Sequence, residues 1–446
     1  MSEVSFPGVV ILRRIGGLLP GGRLLRLSVS LLVLITVLAP ATAEAVFKAP
    51  VYLSEPYQNA EEPQVAIDNN GNGLAVWERF DGANFRIQAR TRSASGVLGS
   101  VQDLSAAGQS AFSPQVAVNG NGNALVVWTR FNGLCQCDKI QARTLSSAGV
   151  LGAVQDLSAG GQNAEVPQVG IDANGNALAV WQRFDGTNDR VQARTRSSAG
   201  VLGAVQTLSD AGRNAFSPQV AVNAAGAGLV DWTRFDGLND RIQARTLSAS
   251  GVLGSVQDLS AALQDAEEPQ VAIDAGGNAL AVWERFDGAN FLIEARTLSA
   301  AGVLGSVLTL SAAGQPAFSP QVAVNGNGNG LVDWTRFNGL CACDKTQARP
   351  VSSAGVLGSV QDLSAGGQNA EQPQVGIDAN GKGVAVWATD KIQARTRSAS
   401  GVLGKVQTLS ASGAFSPQVA VNGAGAALVD WTRSGFVDRT QAAAGP

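Results

Sequence analysis

Short apolar segments alternate with polar turns along the chain from about residue 46 onward, and the helical spacing of apolar residues is absent from this part. Residues 114–158 illustrate the pattern: QVAVN, a Gly/Asn turn, ALVVWTRF, a polar loop, KIQARTLS, the turn SAGVLG and AVQDLS. Asn-Gly and Gly-rich turns supply the positive φ angles that hairpins require. The pattern predicts four short antiparallel strands in roughly 50 residues.

The same unit recurs eight times, and each copy contains one tryptophan. These are Trp77, Trp128, Trp181, Trp232, Trp283, Trp334, Trp387 and Trp431. Self-similarity at this period is typical of a propeller or a solenoid, and four strands per copy favour a propeller blade. The sequence therefore predicts an all-β fold in which residues 46–446 form one closed eight-bladed β-propeller. Each tryptophan lies in an apolar strand, so we expect packing between blades, with stacking on sugar rings as the alternative.

The two ends of the repeat array predict a closed ring. The last copy stops after its third strand, Val437 to Ala443, and has no fourth. The segment before the first copy, Phe47 to Ser54 (FKAPVYLS), aligns with fourth strands such as Gly99 to Ser105 (GSVQDLS). We expect this N-terminal strand to complete the last blade, because an open array would leave two bare sheet edges.

A second period overlies the first, in the residue two positions before the proline that opens each first strand. Odd copies have glutamate there and even copies have phenylalanine: Glu61, Glu165, Glu267, Glu371 and Phe112, Phe216, Phe318, Phe415. The alternation predicts approximate four-fold symmetry of blade pairs. Strand direction places these eight side chains on the face that carries the variable loops between second and third strands. We predict that they bind a ligand around the central opening, or alternatively only close the channel.

The repeat pattern PQVAID-x-x-GN-x-x-x-VW…IQAR…GVLG…LS resembles secreted bacterial β-propeller repeats of the broad sialidase-like type. The resemblance covers nearly all of residues 47–443 and implies the propeller fold. It does not extend to sialidase activity, because the segment from Ile171 to Asn176 does not match the Asp-box of those enzymes. The only tyrosines are Tyr52 and Tyr57, both near the start of the propeller.

Histidine is absent from the 446 residues. Its absence excludes Ser-His-Asp and Cys-His catalysis, histidine metal ligands and a histidine general base. Removal of residues 1–45, which contain four Arg and two Glu, leaves 28 basic and 33 acidic residues and a net charge of −5. This balance favours neither nucleic acid nor an anionic membrane surface as a partner.

Residues 1–45 are predicted to be a signal peptide. Arg13, Arg14, Arg23 and Arg26 precede an apolar run at 27–39 (LSVSLLVLITVLA) that is short for a membrane span. The small residues in the following ATAEA segment offer cleavage sites. We expect a secreted or extracytoplasmic protein with no membrane partner after cleavage; an uncleaved membrane anchor is the alternative.

Four cysteines form two Cys-x-Cys pairs, Cys135 with Cys137 and Cys341 with Cys343. Both pairs lie in a loop between second and third strands, and the two loops are four blades apart on opposite sides of the predicted ring. That separation argues against a bond between the loops, and each loop offers too few ligands for a metal. Export favours a local disulfide within each loop.

Two recurrent polar features have structural explanations. Asp231, Asp333 and Asp430 directly precede a tryptophan in an apolar strand, where a carboxyl needs a partner. Arginine recurs in seven third strands, so we expect buried Asp–Arg pairs, with a catalytic acid as the alternative. Turns such as Asp172 to Asn176 resemble calcium loops faintly but lack the closing glutamate. We interpret them as hairpin turns without a metal.

Two classes of function remain open. The first is an exported binding or interaction module for a glycan or protein ligand, without catalysis. The second is a carboxylate-based glycosidase or lyase that uses glutamates of the variable-loop face. The polar residues are nearly symmetric around the ring, and this favours binding, because catalytic roles require different residues. We expect a monomer without a cofactor.

Overall fold

The computed structural model describes residues 46–248 and 251–445, which form eight four-stranded antiparallel sheets. Each sheet is one blade, and the blades follow each other in chain order around a central channel. The prediction of an all-β, eight-bladed propeller is confirmed. The predicted signal peptide lies outside the described residues. Within the described ranges, no helix is long and apolar enough to cross a membrane.

The four strands of a blade run from the channel outward. The first strands are β2 (Ala60–Ile67), β6 (Ala111–Val118), β10 (Ala164–Ile171), β14 (Ala215–Val222), β18 (Ala266–Ile273), β22 (Ala317–Val324), β26 (Glu371–Ile377) and β30 (Ala414–Val421). The second strands are β3 (Gly73–Phe80), β7 (Ala124–Asn132), β11 (Ala177–Phe184), β15 (Gly228–Phe235), β19 (Ala279–Phe286), β23 (Gly330–Asn338), β27 (Gly383–Ala388) and β31 (Ala427–Arg433).

The two outer strands complete each sheet. The third strands are β4 (Phe85–Arg92), β8 (Cys137–Leu145), β12 (Asp189–Arg196), β16 (Asp240–Leu247), β20 (Phe291–Leu298), β24 (Cys343–Val351), β28 (Ile392–Arg397) and β32 (Arg439–Ala444). The fourth strands are short: β1 (Val51–Tyr52), β5 (Gln102–Asp103), β9 (Gln155–Asp156), β13 (Gln206–Thr207), β17 (Gln257–Asp258), β21 (Leu308–Thr309), β25 (Gln361–Asp362) and β29 (Gln407–Thr408).

The N-terminal strand β1 closes the ring, as the chain ends predicted. It pairs with β32 of blade 8, so that the last sheet has the order β1-β32-β31-β30. The backbone N–H of Lys48 donates to the carbonyl of Ala444 at 2.9 Å, and that of Leu53 donates to the carbonyl of Thr440 at 2.9 Å. The Leu53 side chain is buried against Trp77 of blade 1. The N-terminal segment therefore provides the fourth strand of blade 8 and also part of the core between blades 8 and 1.

The hydrophobic core is divided into eight clusters, one at each junction between neighbouring blades. At the first junction, Trp128 of blade 2 packs in one cluster with Leu74, Val76 and Ile87 of blade 1. All eight tryptophans are 0% exposed. Burial of a large aromatic ring against the adjacent sheet is the main apolar contribution at each junction. The expected packing between blades is thus confirmed, and stacking of these rings on a ligand is excluded by their burial.

The recurrent arginines of the third strands also join neighbouring blades. Arg143 donates from Nε to the carbonyl of Gly152 at 2.7 Å in its own blade, and from Nη1 to that of Leu104 at 3.1 Å in the preceding blade. The same Nη1 bond to a leucine carbonyl is made by Arg90, Arg194, Arg245, Arg296, Arg349 and Arg395. These arginines therefore have a structural role, as expected.

The predicted Asp–Arg pairs are wrong. Asp231, Asp333 and Asp430 are 0% exposed, yet among the described residues none of them forms an ion pair, and their carboxyl oxygens have no hydrogen-bond partner beyond their own residue. The arginines are occupied elsewhere: Arg245, in the same blade as Asp231, donates to backbone carbonyls, including that of Leu208. Burial without a partner raises the pKa of each aspartate well above 3.8.

We expect the triple substitution Asp231→Val, Asp333→Val and Asp430→Val to stabilise the protein. Valine occupies this position in the other five blades, and an unpartnered buried polar group costs about 1–3 kcal/mol. Because burial raises the folded-state pKa, each aspartate keeps its proton in the folded protein at a pH where the unfolded chain has lost it. The free energy of unfolding of the parent is therefore highest below about pH 4 and falls as the pH rises. Urea unfolding at several pH values should therefore show a flatter pH dependence in the variant. The reverse substitution Val282→Asp is the control and should destabilise the protein. A triple variant less stable than the parent at neutral pH would contradict the conclusion that these aspartates lack a partner.

Loss of the closing strand should leave the third-strand edge of β32 bare. We expect deletion of residues 46–54 to lower the melting temperature and to cause association, measured by light scattering, because an unpaired edge recruits other strands. The single change Leu53→Ala should destabilise by about 2–5 kcal/mol through the cavity that it leaves. Val46→Ser, at an exposed position, is the control. A deletion variant as stable and as monomeric as the parent would argue against closure.

Candidate functional site

The propeller has two faces with different sequence behaviour. The turn face carries the hairpins between first and second strands and between third and fourth strands. The loop face carries the loops between second and third strands together with the links from one blade to the next. Loop sequences differ most from blade to blade on the loop face, which is why the sequence predicted the site there.

The turn face is built from repeated, internally satisfied turns. Asp68 Oδ1 accepts hydrogen bonds from the backbone N–H groups of Asn70 and Asn72 at 2.9 and 2.8 Å, and its Oδ2 accepts from Asn72 Nδ2 at 2.9 Å. The aspartate therefore stabilises its own hairpin, in agreement with our interpretation of these turns. Cavities of about 420 and 210 Å³ between blades 3 and 4 and between blades 5 and 6 are lined by equivalent repeat residues.

The predicted ring of glutamates and phenylalanines lies on the loop face at the junctions between blades. Glu61, Glu165 and Glu267 are half-buried there, as are Phe112, Phe216 and Phe318, whereas Glu371 and Phe415 are exposed. The glutamates occupy the junctions that lead into odd blades, and the phenylalanines occupy those that lead into even blades. The structure thus distributes the eight residues around the ring and opens one junction, between blades 7 and 8, more than the others.

Acidic groups from adjacent blades meet at the glutamate junctions. Burial raises the pKa of Glu61, and Asp438 of blade 8 raises it further. Burial likewise raises the pKa of Glu165, with an additional contribution from Asp138 of blade 2. For Glu267 the same two causes apply, and the neighbouring carboxylate is that of Asp240. Each of these junctions therefore concentrates negative charge at the loop face.

Aromatic rings from adjacent blades meet at two of the phenylalanine junctions. The Phe85 ring of blade 1 lies 5.7 Å from that of Phe112 and 5.2 Å from that of Phe80, centroid to centroid. The equivalent cluster of Phe286, Phe291 and Phe318 lies between blades 5 and 6. These two clusters are four blades apart and are therefore related by a half-turn of the ring. The aromatic clusters have two-fold symmetry, whereas the alternation of glutamate and phenylalanine has approximate four-fold symmetry.

The residues that line the channel are one position further along than those that we predicted. Each first strand contains a β-bulge, and the bulged residue has a left-handed backbone with φ between 50° and 52°. These residues are Glu62, Ser113, Val166, Ser217, Glu268, Ser319, Gln372 and Ser416. Several of them, with the prolines and glutamines that follow, line a channel cavity of about 260 Å³. Glu62 and Glu268 contribute its carboxylates.

A sequence signal for the bulge was available. Ala60 and Pro63 are both buried in the structure but are three positions apart. Strict alternation in a strand buries residues an even number of positions apart, so the repeated spacing Ala-x-x-Pro indicates an inserted residue. Recognition of this offset would have placed Glu62, rather than Glu61, at the channel.

Glu78 and Glu284, which we did not predict, have the largest resolved carboxyl pKa shifts on the loop face. Burial raises the pKa of each to about 7, and nearby glutamates add to the shift. Glu78 Oε1 accepts the backbone N–H of the bulged residue Ser113 in blade 2 at 2.6 Å. Glu284 accepts that of Ser319 at 2.7 Å. Each glutamate therefore holds the channel lining of the next blade and is nearly inaccessible.

One junction departs from the repeat and forms a cavity. Ten positions separate Trp77 from Ile87 in blade 1, but five separate Trp387 from Ile392 in blade 7. The short loop has no residue equivalent to Phe85, so Phe415 of blade 8 is left 38% exposed. A cavity of about 610 Å³ opens beside it. Its lining consists of Gln368, Asn369, Glu371, Gln372, Ala388, Thr389, Asp390 and Phe415.

Two hydrogen bonds join the lining of this cavity to blade 8. The backbone carbonyl of Asp390 accepts the N–H of Gly413 at 2.6 Å, and this bond fixes the short loop against blade 8. Gln372 Oε1 accepts the N–H of Ser416 at 3.0 Å. Within residues 46–248 and 251–445, no ion pair is formed by the carboxylates of Glu371 or Asp390. The cavity therefore presents two carboxylates and an aromatic ring to solvent.

Each Cys-x-Cys pair is joined by a disulfide within its own loop, as predicted. The Cα atoms of Cys135 and Cys137 are 5.1 Å apart, and those of Cys341 and Cys343 are 5.2 Å apart. The two loops belong to blades 2 and 6. In the described part of the chain, no group of three or more Cys, Asp or Glu side chains is placed to hold a metal ion.

These observations define an eight-bladed β-propeller with a polar and aromatic cavity on its loop face. Among solved structures, the chain is similar to the BP39L lectin from Burkholderia pseudomallei, at a TM-score of 0.52 and 12% identity over 79% of this chain and 100% of that one. The Dos1 propeller has a TM-score of 0.52 and 9% identity over 89% and 95% of the two chains. An α-L-arabinanase of Penicillium chrysogenum has a TM-score of 0.42 and 13% identity over 63% and 92%.

No protein-family model and no curated protein matches the sequence. At these low identities, the solved structures share the fold with this chain and nothing more specific.

We expect Glu78 and Glu284 to titrate near neutral pH. Because burial raises their folded-state pKa from 4.5 to about 7, the stability that they contribute is complete below pH 4.5 and is lost as the pH rises through about 7. Carboxyl titration by ¹³C NMR should show two glutamates with these midpoints. The double variant Glu78→Gln, Glu284→Gln should lose less stability over that range, and the exposed change Glu371→Gln is the control. Ordinary midpoints for both groups would contradict the burial argument.

Proposed function

We propose that this protein is an exported carbohydrate-binding propeller whose primary site is the cavity between blades 7 and 8 of the loop face. The single observation that carries the proposal is the symmetry-breaking loop of blade 7, which uncovers Phe415 beside Glu371 and Asp390. A repeat protein keeps its fold with identical copies, so a deviation that opens a cavity points to a function.

The chemistry of the cavity suits a sugar ring. An exposed phenylalanine offers a flat apolar surface for the C–H face of a pyranose. Carboxylates accept hydrogen bonds from hydroxyl groups, and the amides of Gln368 and Asn369 can donate as well as accept. A volume of about 610 Å³ is within the usual range for small-ligand sites. A protein ligand remains an alternative for the wider loop face.

The other members of the predicted ring are proposed as secondary contacts. Glu61, Glu165 and Glu267 are half-buried but acidic, so they suit the hydroxyl or ammonium groups of an extended ligand. Phe112, Phe216 and Phe318 are half-buried, and the rings of Phe112 and Phe318 contact a phenylalanine of the preceding blade. Their main contribution is therefore to junction packing, with contact to a long ligand only at their exposed edges.

We propose binding without catalysis. The carboxyls with a pKa near 7, Glu78 and Glu284, are the groups that favour a carboxylate-based glycosidase or lyase as the second candidate. Both are nearly inaccessible, however, and both are held by the backbone of the next blade. Neither lines the cavity of blades 7 and 8. A hydrolytic mechanism would need an acid and a second carboxylate on either side of one bond.

Several further features support the proposal by analogy. The repeat resembles secreted propellers of the sialidase-like type, and the BP39L lectin has a similar fold. The two loop disulfides favour an oxidising compartment and therefore export. We propose a secreted monomer that needs no metal or other cofactor and has no nucleic-acid partner.

Phe415→Ala and Glu371→Gln should each weaken glycan binding about tenfold, because each removes roughly 1 kcal/mol or more of aromatic or charge-assisted contact. A glycan array identifies the ligand, and calorimetry with that glycan measures the change. Phe318→Ala and Glu165→Gln are matched comparisons at equivalent repeat positions outside the cavity, and they should weaken binding much less, because these residues make only secondary contacts.

Equal losses in the cavity variants and the matched controls would reject the cavity as the site. Absence of binding to any glycan would reject the carbohydrate class. Turnover of the bound glycoside by the parent, with loss of turnover in Glu78→Gln, would establish the enzymatic alternative.

A further inference from the structure

Four large apolar side chains project from the loop face at one equivalent position, the tip of the loop between second and third strands. They belong only to even blades: Leu134, Leu238, Leu340 and Phe436, of which Leu238 is 81% exposed and the other three are almost fully exposed. The odd blades have Ala83, Thr187 and Ala289 at this position, and the short loop of blade 7 lacks it. We call the four even-blade residues the apolar tips.

Three of the four apolar tips lack the nearby negative charge that the loops of blades 1, 3 and 5 have. Two positions before the tip, blades 1, 3 and 5 have an aspartate that stabilises its loop, as Asp81 does by accepting the N–H groups of Ala83 and Asn84. Blades 2, 6 and 8 have neutral Asn132, Asn338 and Ser434 instead. Only the Leu238 loop retains its aspartate. An apolar tip beside a neutral residue is suited to a surface that excludes water.

Two links between blades add further exposed apolar groups. Five links of equal length have a glycine with positive φ at their bend: Gly108, Gly161, Gly212, Gly314 and Gly367. The links into blades 1 and 5 have Tyr57 and Leu263 there instead, both at φ 62°. A left-handed backbone disfavours a side chain, yet these two are 85% and 78% exposed. Neither folding nor solubility explains a large apolar group at a strained, exposed position.

Exposed valines of the turn face are a different case. Residues such as Val97 and Val150 recur in every complete GVLG turn with nearly constant exposure. Their backbone N–H groups are held by a serine hydroxyl, for example Ser93 Oγ to the Val97 N–H at 2.9 Å. They belong to the repeat, whereas the six residues of the loop face are departures from it.

We propose that the loop face docks on a lipid membrane surface by inserting the four apolar tips together with Tyr57 and Leu263. The six groups sit on separate loops and links, while the centre of the face carries the carboxylates of Glu62 and Glu268. A protein interface has the opposite anatomy, with an apolar centre and a polar rim. Separate apolar groups on one face, with an aromatic residue among them, fit the interfacial region of a bilayer.

The charge of the loop face selects the lipid. The acidic junctions at Glu61, Glu165 and Glu267 are repelled by anionic headgroups and are attracted to choline or ethanolamine groups. The membrane surface is therefore zwitterionic. The net charge of −5 argued only against an anionic membrane, and the attraction proposed here is apolar. This inference goes beyond carbohydrate binding and does not depend on it.

Co-sedimentation with vesicles tests the proposal, using the protein from residue 46 onward, which contains every blade. We expect binding to phosphatidylcholine vesicles and to equal mixtures of phosphatidylcholine and phosphatidylethanolamine. Binding should weaken when phosphatidylglycerol replaces half of the phosphatidylcholine. The triple variant Leu134→Ser, Leu340→Ser and Phe436→Ser should lower vesicle binding at least tenfold, because each change removes exposed apolar area.

A matched control variant combines Ala83→Ser, Thr187→Ser and Ala289→Ser at the odd-blade tips and should bind vesicles like the parent. Unchanged melting temperatures would show that both variants fold. The tip variants should also retain glycan binding, so a failure of the membrane proposal can be distinguished from a failure of the proposed carbohydrate binding. The proposal is overturned if the parent does not bind any of these vesicles or if the control loses as much as the tip variant. It is also overturned if tip substitution abolishes capture of a protein partner while vesicle binding stays unchanged.

Discussion

The packing of each tryptophan against the preceding blade is the contact on which this propeller depends. A four-stranded sheet has two apolar faces, and neither is covered within its own blade. The tryptophan from one blade and the aliphatic residues of the blade before it bury both faces in turn, as Trp128 does with Leu74 and Val76. Because every blade needs a neighbour on each side, stability is a property of the ring and not of any single repeat.

This dependence explains which features the sequence predicted well. Strand number and blade number follow from the local turns and the single tryptophan of each copy, and closure follows from the complementary ends of the repeat array. The position of Glu61 and Phe112 before the first strands also predicted the face on which these side chains lie. The opening beside Phe415 was harder to predict, since it depends on which side chain the shortened loop of blade 7 uncovers. The contact between two side chains of neighbouring blades cannot be inferred from the sequence of either blade alone.

Two errors have definite physical causes. The bulge shifts the channel lining from Glu61 to Glu62, because one inserted residue changes the direction of every following side chain. The expected partner of Asp231 is missing because the arginine of its blade, Arg245, already donates to backbone carbonyls. The prediction of an Asp–Arg ion pair was therefore wrong, because backbone carbonyls competed with the aspartate for the same guanidinium group.

The closing strand has a consequence for the order of assembly. Val51 pairs with Ala442, so the first residues of the propeller to be synthesised find their partners among the last. Until blade 8 is synthesised, blade 1 has no neighbour on that side to cover Trp77, and the closing segment has no edge to join. The propeller must therefore remain an incomplete arc until its last blade emerges, and the pairing of β1 with β32 decides whether it becomes a ring.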